Sequence, residues 1–251
     1  MPRFDLGRQC MGLGEALSIG SALAWACGVI LYKRLGESLP PQNLNLLKNL
    51  LVLAMLVPTV LLLEGTNLPV ISRQHLFLAV ASGVVGIAVA DTLYLHALNA
   101  LGASRMGIMG NLYSPFVIVL SFLFLGERLG ALQMVGFVLV MLGVLVVHGS
   151  DPNRHIDQRS LRRGLIYAAL AIILMAVAIV MIKRVLEQHS LLWIVLLRLL
   201  GAVAGMSALF ALRRENPLPR GVPVHWGTLL LAAFLGQYLS VVMWLGGYKY
   251  A

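Results

Sequence analysis

The 251 residues are 59% apolar and only 12% charged, with a mean hydropathy of +0.88, which excludes a soluble domain that must solvate its whole exterior. The net charge of +9 does not point to nucleic acid, because the basic residues stand at the ends of apolar runs and in short loops, where membrane lipid headgroups are the expected partners. Cys10 and Cys27 have neither disulfide-framework nor metal-ligand spacing, and no cofactor is expected.

Apolar runs of about 20 residues, the length that crosses a bilayer core as helix, lie near 12–33, 44–63, 75–98, 104–125, 130–148, 164–184, 190–212 and 226–247. They predict an all-α polytopic membrane protein with short connections. Barrel strands would alternate polar and apolar residues, and runs such as 135–147 do not. Residues 1–11 read as a tail. The apolar run at 16–31 has Ala22-Leu23-Ala24 as a signal-peptidase match, but the seven spans that follow favour a retained first helix.

"LYKRLGE" at 31–37 recurs as "MIKRVLE" at 181–187, an offset of 150 residues. The same offset, without a gap, places Gly14 on Gly164, Lys48 on Arg198, His75 on His225, Gly86 on Gly236 and Leu95 on Leu245. A gap-free match of this length indicates duplication. The first unit, 12–148, holds five spans, and a repeat with an odd number of crossings must be followed by an upside-down copy. Residues 149–163 form a polar hinge, and 164–251 hold three spans of the second unit. The expected architecture is two inverted five-helix repeats, the second incomplete, with eight helices present of ten. On that count the chain is expected to be a fragment or a truncated product. The basic residues divide seven to ten between the two faces, too evenly to set orientation by the positive-inside rule.

"AWACGVILYKRL" (24–35) and "ALNALGASRMGIMGNLYSPFVIVLSFLFLGERLGALQMVGFVLVMLGVLVV" (97–147) resemble the EamA-type repeat of the drug/metabolite transporter superfamily. The most specific features are Pro115 in mid-helix, the "FLGERL" turn at 124–129, and the glycine-spaced helix with Gly136 and Gly143. The resemblance implies ten helices in two inverted repeats and a cavity lined by the first, third and fourth helices of each. It also implies export of small metabolites or xenobiotics by alternating access across the cytoplasmic membrane, with a cytoplasmic N-terminus. The alternative is a transport-inactive fragment, or a chain whose cavity is completed by a partner such as a second copy in a homodimer. An enzyme is not expected, because the histidines lie mostly at span ends and no nucleophile, base and orienting group converge.

Several residues are cavity candidates. Ser18, Ser21, Trp25, Gly28 and Tyr32 share one face of the first helix; Trp25 and Tyr32 suit cavity lining, while the small residues fit a helix interface equally well. Asp91 is a carboxylate well inside a span, a costly placement that usually marks a cavity or a partner. Tyr94 lies one turn along, and Trp244 matches it at the repeat offset. Asp91 is expected to bind a polar substrate group or a coupling proton with Trp25, Tyr94 and Asn111 around it; on that basis Asp91→Asn should change transport and leave stability nearly unaltered. The other reading is a hydrogen-bonded aspartate that fixes packing. Pro115 is expected to kink its helix, with Asn111 and Ser114 placed to satisfy the freed carbonyl. Lys48 and Arg198 stand a few residues inside the second helix of each repeat, from where they are expected to snorkel to the interface. Small multidrug relatives carry an essential glutamate eight residues before a lysine of the first helix. Counted back from Lys33, that position holds Trp25 and not Glu15, so their proton coupling is not carried over.

Overall fold

With no water to bond exposed peptide groups, a spanning segment must satisfy its own backbone, which for these long apolar runs means helix. The computed structural model describes residues 6–65, 69–126, 130, 134–136, 138–139, 142, 157–218 and 223–244. Its principal helices are α1 (Leu6–Leu35), α2 (Pro41–Glu64), α3 (Arg73–Gly83), α4 (Asp91–Leu101), α5 (Ala103–Gly110), α6 (Tyr113–Leu125), α7 (Gln158–Gln188), α8 (Leu191–Arg213) and α9 (Trp226–Ala233). π-helical segments at Val84–Ala90 and Phe234–Leu239 continue α3 into α4 and extend α9. Among the described residues these make seven helices long and apolar enough to cross a membrane, each overlapping an expected span. The expected span at 130–148 falls largely outside the described residues, as do Gly143 and the second half of the "FLGERL" turn. Large apolar side chains such as Leu62, Phe77, Phe124 and Leu212 stand exposed on the outside, as a lipid-facing surface requires. The chain is an all-α, multi-pass membrane protein.

Helix boundaries follow local chemistry. Pro41 opens α2, where its missing N–H costs nothing. Ser72 caps α3 by accepting from the His75 N–H at 3.2 Å, and Asp157 caps α7 by accepting from the Ser160 N–H at 3.3 Å. That cap starts α7 at Gln158, so the last residues of the expected hinge at 149–163 are already helical. Between the third and fourth spans Gly102 alone makes the connection, at φ 85°, a backbone conformation open chiefly to glycine.

The two π segments stand 150 residues apart, the offset of the sequence repeat, so the duplication extends to an irregularity of the backbone. Contacts give the direction of each copy. Within the first repeat, Trp25 meets Tyr94 and Asn99 donates to the Gly36 carbonyl at 3.0 Å, so the first and third spans run parallel. Between repeats, Gly20 meets Met243, Ser21 donates to the Ser240 carbonyl at 2.8 Å, and Gly28 meets Gly236. Numbers rise on α1 as they fall on the partner, so these spans run antiparallel. The second repeat is therefore inverted. The exchange is reciprocal: Gly164 packs on Leu101, and a Cβ on Gly86 would lie 2.7 Å from that of Ala178, the repeat partner of Gly28.

Gly28 and Gly236 bring two backbones together, since a Cβ on Gly236 would fall 2.9 Å from the Gly28 Cα. Small residues permit this approach where lipid supplies no hydrophobic drive between helices. Gly28→Val should therefore destabilise the protein by about 1–3 kcal/mol or more, the usual cost of overpacking, in equilibrium unfolding from mixed micelles. Gly107→Ala, where an added Cβ meets nothing within 4 Å, should leave stability unchanged.

Candidate functional site

The repeats meet at a polar centre built mainly by α2 and α4. Asn45, Lys48 and Asn49 lie at helical spacing on one buried face of α2. Lys48 Nζ stands 2.7 Å from Asp91 Oδ2, with 3% and 16% of the two side chains exposed. Its ammonium also lies 5.3 Å from the centre of the buried Tyr32 ring, a cation–π arrangement. Lys48 therefore does not snorkel as expected. It is seven residues into α2, or about 10 Å at the helical rise, and Asp91 offers a nearer countercharge than the interface does.

The position of Asp91 follows from the π segment, which ends at Ala90. A π turn displaces carbonyls from the regular ladder, and Asn45 accommodates them: its amide donates to the carbonyls of Ile87 at 2.9 Å and Ala88 at 3.2 Å, and to Thr92 Oγ1 at 2.8 Å. Asn49 donates to Asn45 Oδ1, and Gln237 of the second repeat donates to Asn49 Oδ1, both at 2.8 Å. The chain of amides thus holds α2, the π segment and the inverted repeat in one register.

Of the residues singled out in the sequence, Trp25, Tyr32, Asp91 and Tyr94 come together. The Trp25 and Tyr94 rings lie 6.1 Å apart, with Tyr94 buried and Trp25 38% exposed. Ser21 and Gly28 instead face the second repeat, in the interface role that the sequence leaves open. Asn111 is exposed and makes no hydrogen bond with Asp91, and Ser114 is also exposed. Pro115, buried in the first turn of α6, breaks the regular ladder of the span Ala103–Leu125 one turn earlier: α5 ends at Gly110 and α6 begins at Tyr113, with Asn111 and Leu112 still in the helical region of backbone angles. The break falls at residues 111–112 because a proline ring clashes with the carbonyl four residues earlier, here that of Asn111. Trp244 is 46% exposed and follows Met243, which packs on Gly20.

Asn45, Asn49, Thr92, Gln237 and Arg198 belong to this region and are not among the cavity candidates drawn from the sequence. The available signal is the Asn45–Lys48–Asn49 spacing, three polar residues on one face of an apolar helix. Arg198, the repeat partner of Lys48, lies in electrostatic range of Tyr113 and Asp91, and its Nε is buried without a hydrogen-bond partner. Among the described residues no cluster of three or more His, Cys, Asp or Glu side chains could hold a metal ion. A separate cleft of about 550 Å³ lies between α3, α6 and α7.

The ion pair changes the outcome expected for Asp91→Asn. Removing one partner of a buried pair strands the other charge, at a typical cost of about 3–5 kcal/mol, whereas replacing both by apolar groups is often neutral. Asp91→Asn should accordingly lower the melting temperature in detergent, and the Lys48→Met/Asp91→Leu double variant should recover most of the loss. A full-stability Asp91→Asn protein would contradict the pairing.

The sequence model of the EamA-like transporter family matches residues 12–149 and 162–251. No curated protein matches the chain. A solved structure described only as "Crystal structure of protein" is similar over 94% of this chain and 79% of its own, with a TM-score of 0.68 and 18% identity, a likeness of fold. The family match spans nearly the whole sequence, so the chain belongs to the EamA-like transporter family, whose members are membrane transporters rather than enzymes.

Proposed function

We propose that the protein is a secondary transporter that exports small metabolites or xenobiotics across the cytoplasmic membrane by alternating access. The observation that carries this reading is the Lys48–Asp91 pair at the junction of two inverted repeats. Inverted repeats supply two exchangeable arrangements around a shared centre, and in transporters of this construction the substrate site lies near mid-membrane at the repeat interface. Asp91 keeps one carboxylate oxygen outside the Lys48 contact; Tyr94 lies in electrostatic range of it, and Trp25 packs against Tyr94. These groups suit a small molecule with a polar end and an apolar body. Trp25, Tyr32, Asp91 and Tyr94 form the proposed lining; Asn111, Ser114, Pro115 and Trp244 belong to its periphery.

The test compares the growth medium of cells producing the wild-type chain with that of cells producing the Lys48→Met/Asp91→Leu variant at equal membrane abundance, using untargeted mass spectrometry. At least one small molecule should accumulate outside wild-type cells and fall to the empty-vector level with the variant. Identical media would contradict the transport role of this centre.

A further inference from the structure

The four polar residues that line the cleft between α3, α6 and α7 gather at one end of it. Gln74 and His75 belong to the first turn of α3, and Arg184 and Gln188 to the last turns of α7. Both helix ends lie at one membrane face, since His75 Nδ1 is 3.0 Å from Nε2 of His189, the residue that follows α7. The rest of the lining is apolar and runs inward. Val177 precedes Arg184 by seven residues, about 10 Å deeper at the helical rise, and Leu78 and Leu120 line the cleft from the facing helices.

One side of the cleft is continuous with the lipid-facing surface: Phe124 lines it within the span Ala103–Leu125 and is 73% exposed. The polar end carries charge of one sign, because among the described residues no carboxylate lines the cleft. Glu64, at the end of α2, accepts from the Ser190 hydroxyl at 2.6 Å, and Glu187 is exposed and outside the lining. Among the described residues the side chains of Gln74, Arg184 and Gln188 take no hydrogen-bond or ion-pair partner, which leaves a guanidinium and two amides to a ligand. His189 fixes the His75 ring, and in the tautomer in which His75 Nδ1 accepts, its Nε2 carries a hydrogen.

We infer that the cleft is a binding site for an anionic phospholipid of the surrounding bilayer, its phosphate held by Arg184 among Gln74, His75 and Gln188 and one acyl chain laid along Leu78, Leu120 and Val177. A soluble polar molecule would leave the apolar length of the cleft unused, and a neutral lipid would leave the guanidinium without a counterion. A phospholipid meets both demands, because its head-to-tail order matches the order of groups along the cleft. An arginine fork donates two parallel hydrogen bonds to a phosphate, and basic pockets between membrane helices take anionic headgroups. The assignment requires only a membrane-embedded chain and stands or falls apart from the transporter reading.

The experiment is thermal denaturation of the full chain, stripped of lipid in mild detergent, for wild type, Arg184→Gln, Val177→Trp and Arg213→Gln. The additions are dioleoyl phosphatidylglycerol, dioleoyl phosphatidylcholine, dioleoylglycerol and inorganic phosphate. Phosphatidylglycerol should raise the melting temperature saturably and phosphatidylcholine more weakly, with no shift from dioleoylglycerol or inorganic phosphate. The apparent phosphatidylglycerol affinity should fall about tenfold in Arg184→Gln, the size of a lost charge-assisted contact, and should also fall in Val177→Trp, which fills the apolar depth. Arg213, exposed at the other end of α8 and so on the opposite membrane face, is the control, and Arg213→Gln should respond as wild type does. Equal losses in Arg184→Gln and Arg213→Gln would reduce the effect to general attraction by a chain of net charge +9 and overturn the site. It is equally overturned by no response to phosphatidylglycerol, an equal response to phosphatidylcholine, a response to dioleoylglycerol or inorganic phosphate alone, or undiminished affinity in Arg184→Gln or in folded Val177→Trp. Should Val177→Trp not fold, Arg184→Gln decides, since Arg184 is exposed and its replacement leaves the packing intact.

Discussion

A lysine ammonium in the interior of a membrane protein needs a countercharge, and here Asp91 provides it at 2.7 Å. Much of the surrounding structure serves that contact. The π segment from Val84 to Ala90 ends where Asp91 begins α4, and the Asn45 amide stabilises the carbonyls that the segment leaves off the regular ladder. Asn45 and Asn49 come from the same face of α2 as Lys48, so the group that fixes the acid and the group that neutralises it are positioned by one helix. Such pairs contribute less to net stability than to a particular arrangement, because desolvation offsets most of the Coulombic gain. The stability consequence lies in losing one partner, not in having both.

Inversion of the repeats explains why this centre lies at an interface. The first span of each repeat packs antiparallel on the third span of the other, through Gly28 with Gly236 and Gly86 with Ala178. Each repeat thereby covers the π segment of its counterpart. The backbone is close to symmetric, but the chemistry is not: Asn45, Asn49 and Asp91 are matched by Val195, Leu199 and Val241. Duplication built the scaffold, and one copy carries most of the polar groups. Gln237 is the reverse case, an amide in the second repeat opposite Ile87 in the first, and it reaches across to Asn49 at 2.8 Å.

The spans, the repeat offset and the inversion are legible in the sequence because they depend on hydropathy, spacing and an odd crossing count, all local or additive properties of the chain. Trp25, Tyr32, Asp91 and Tyr94 stand out as polar or aromatic groups on apolar helices, and they are neighbours in the fold. The partner of Asp91 is not legible. Lys48 is 43 residues away, and its place near a helix end suits a snorkelling side chain just as well, so only the packing of α2 on α4 decides between them. The π segments leave no periodic signature, and without them Thr92 and Asn45 have no evident reason to meet. Pro115 marks a break correctly in kind, but its ring acts on the preceding turn, which places the break at residues 111–112.

The contact between Lys48 and Asp91 is open to direct measurement by dipolar recoupling in the solid state. The protein would carry nitrogen-15 in lysine and carbon-13 in aspartate, and would be studied in lipid bilayers. The predicted result is dephasing of the Asp91 carboxyl carbon by the Lys48 amine nitrogen consistent with the 2.7 Å oxygen–nitrogen contact, abolished in Asp91→Asn. An Asp91 carboxyl carbon that shows no coupling to any lysine amine would contradict the pairing on which the centre depends.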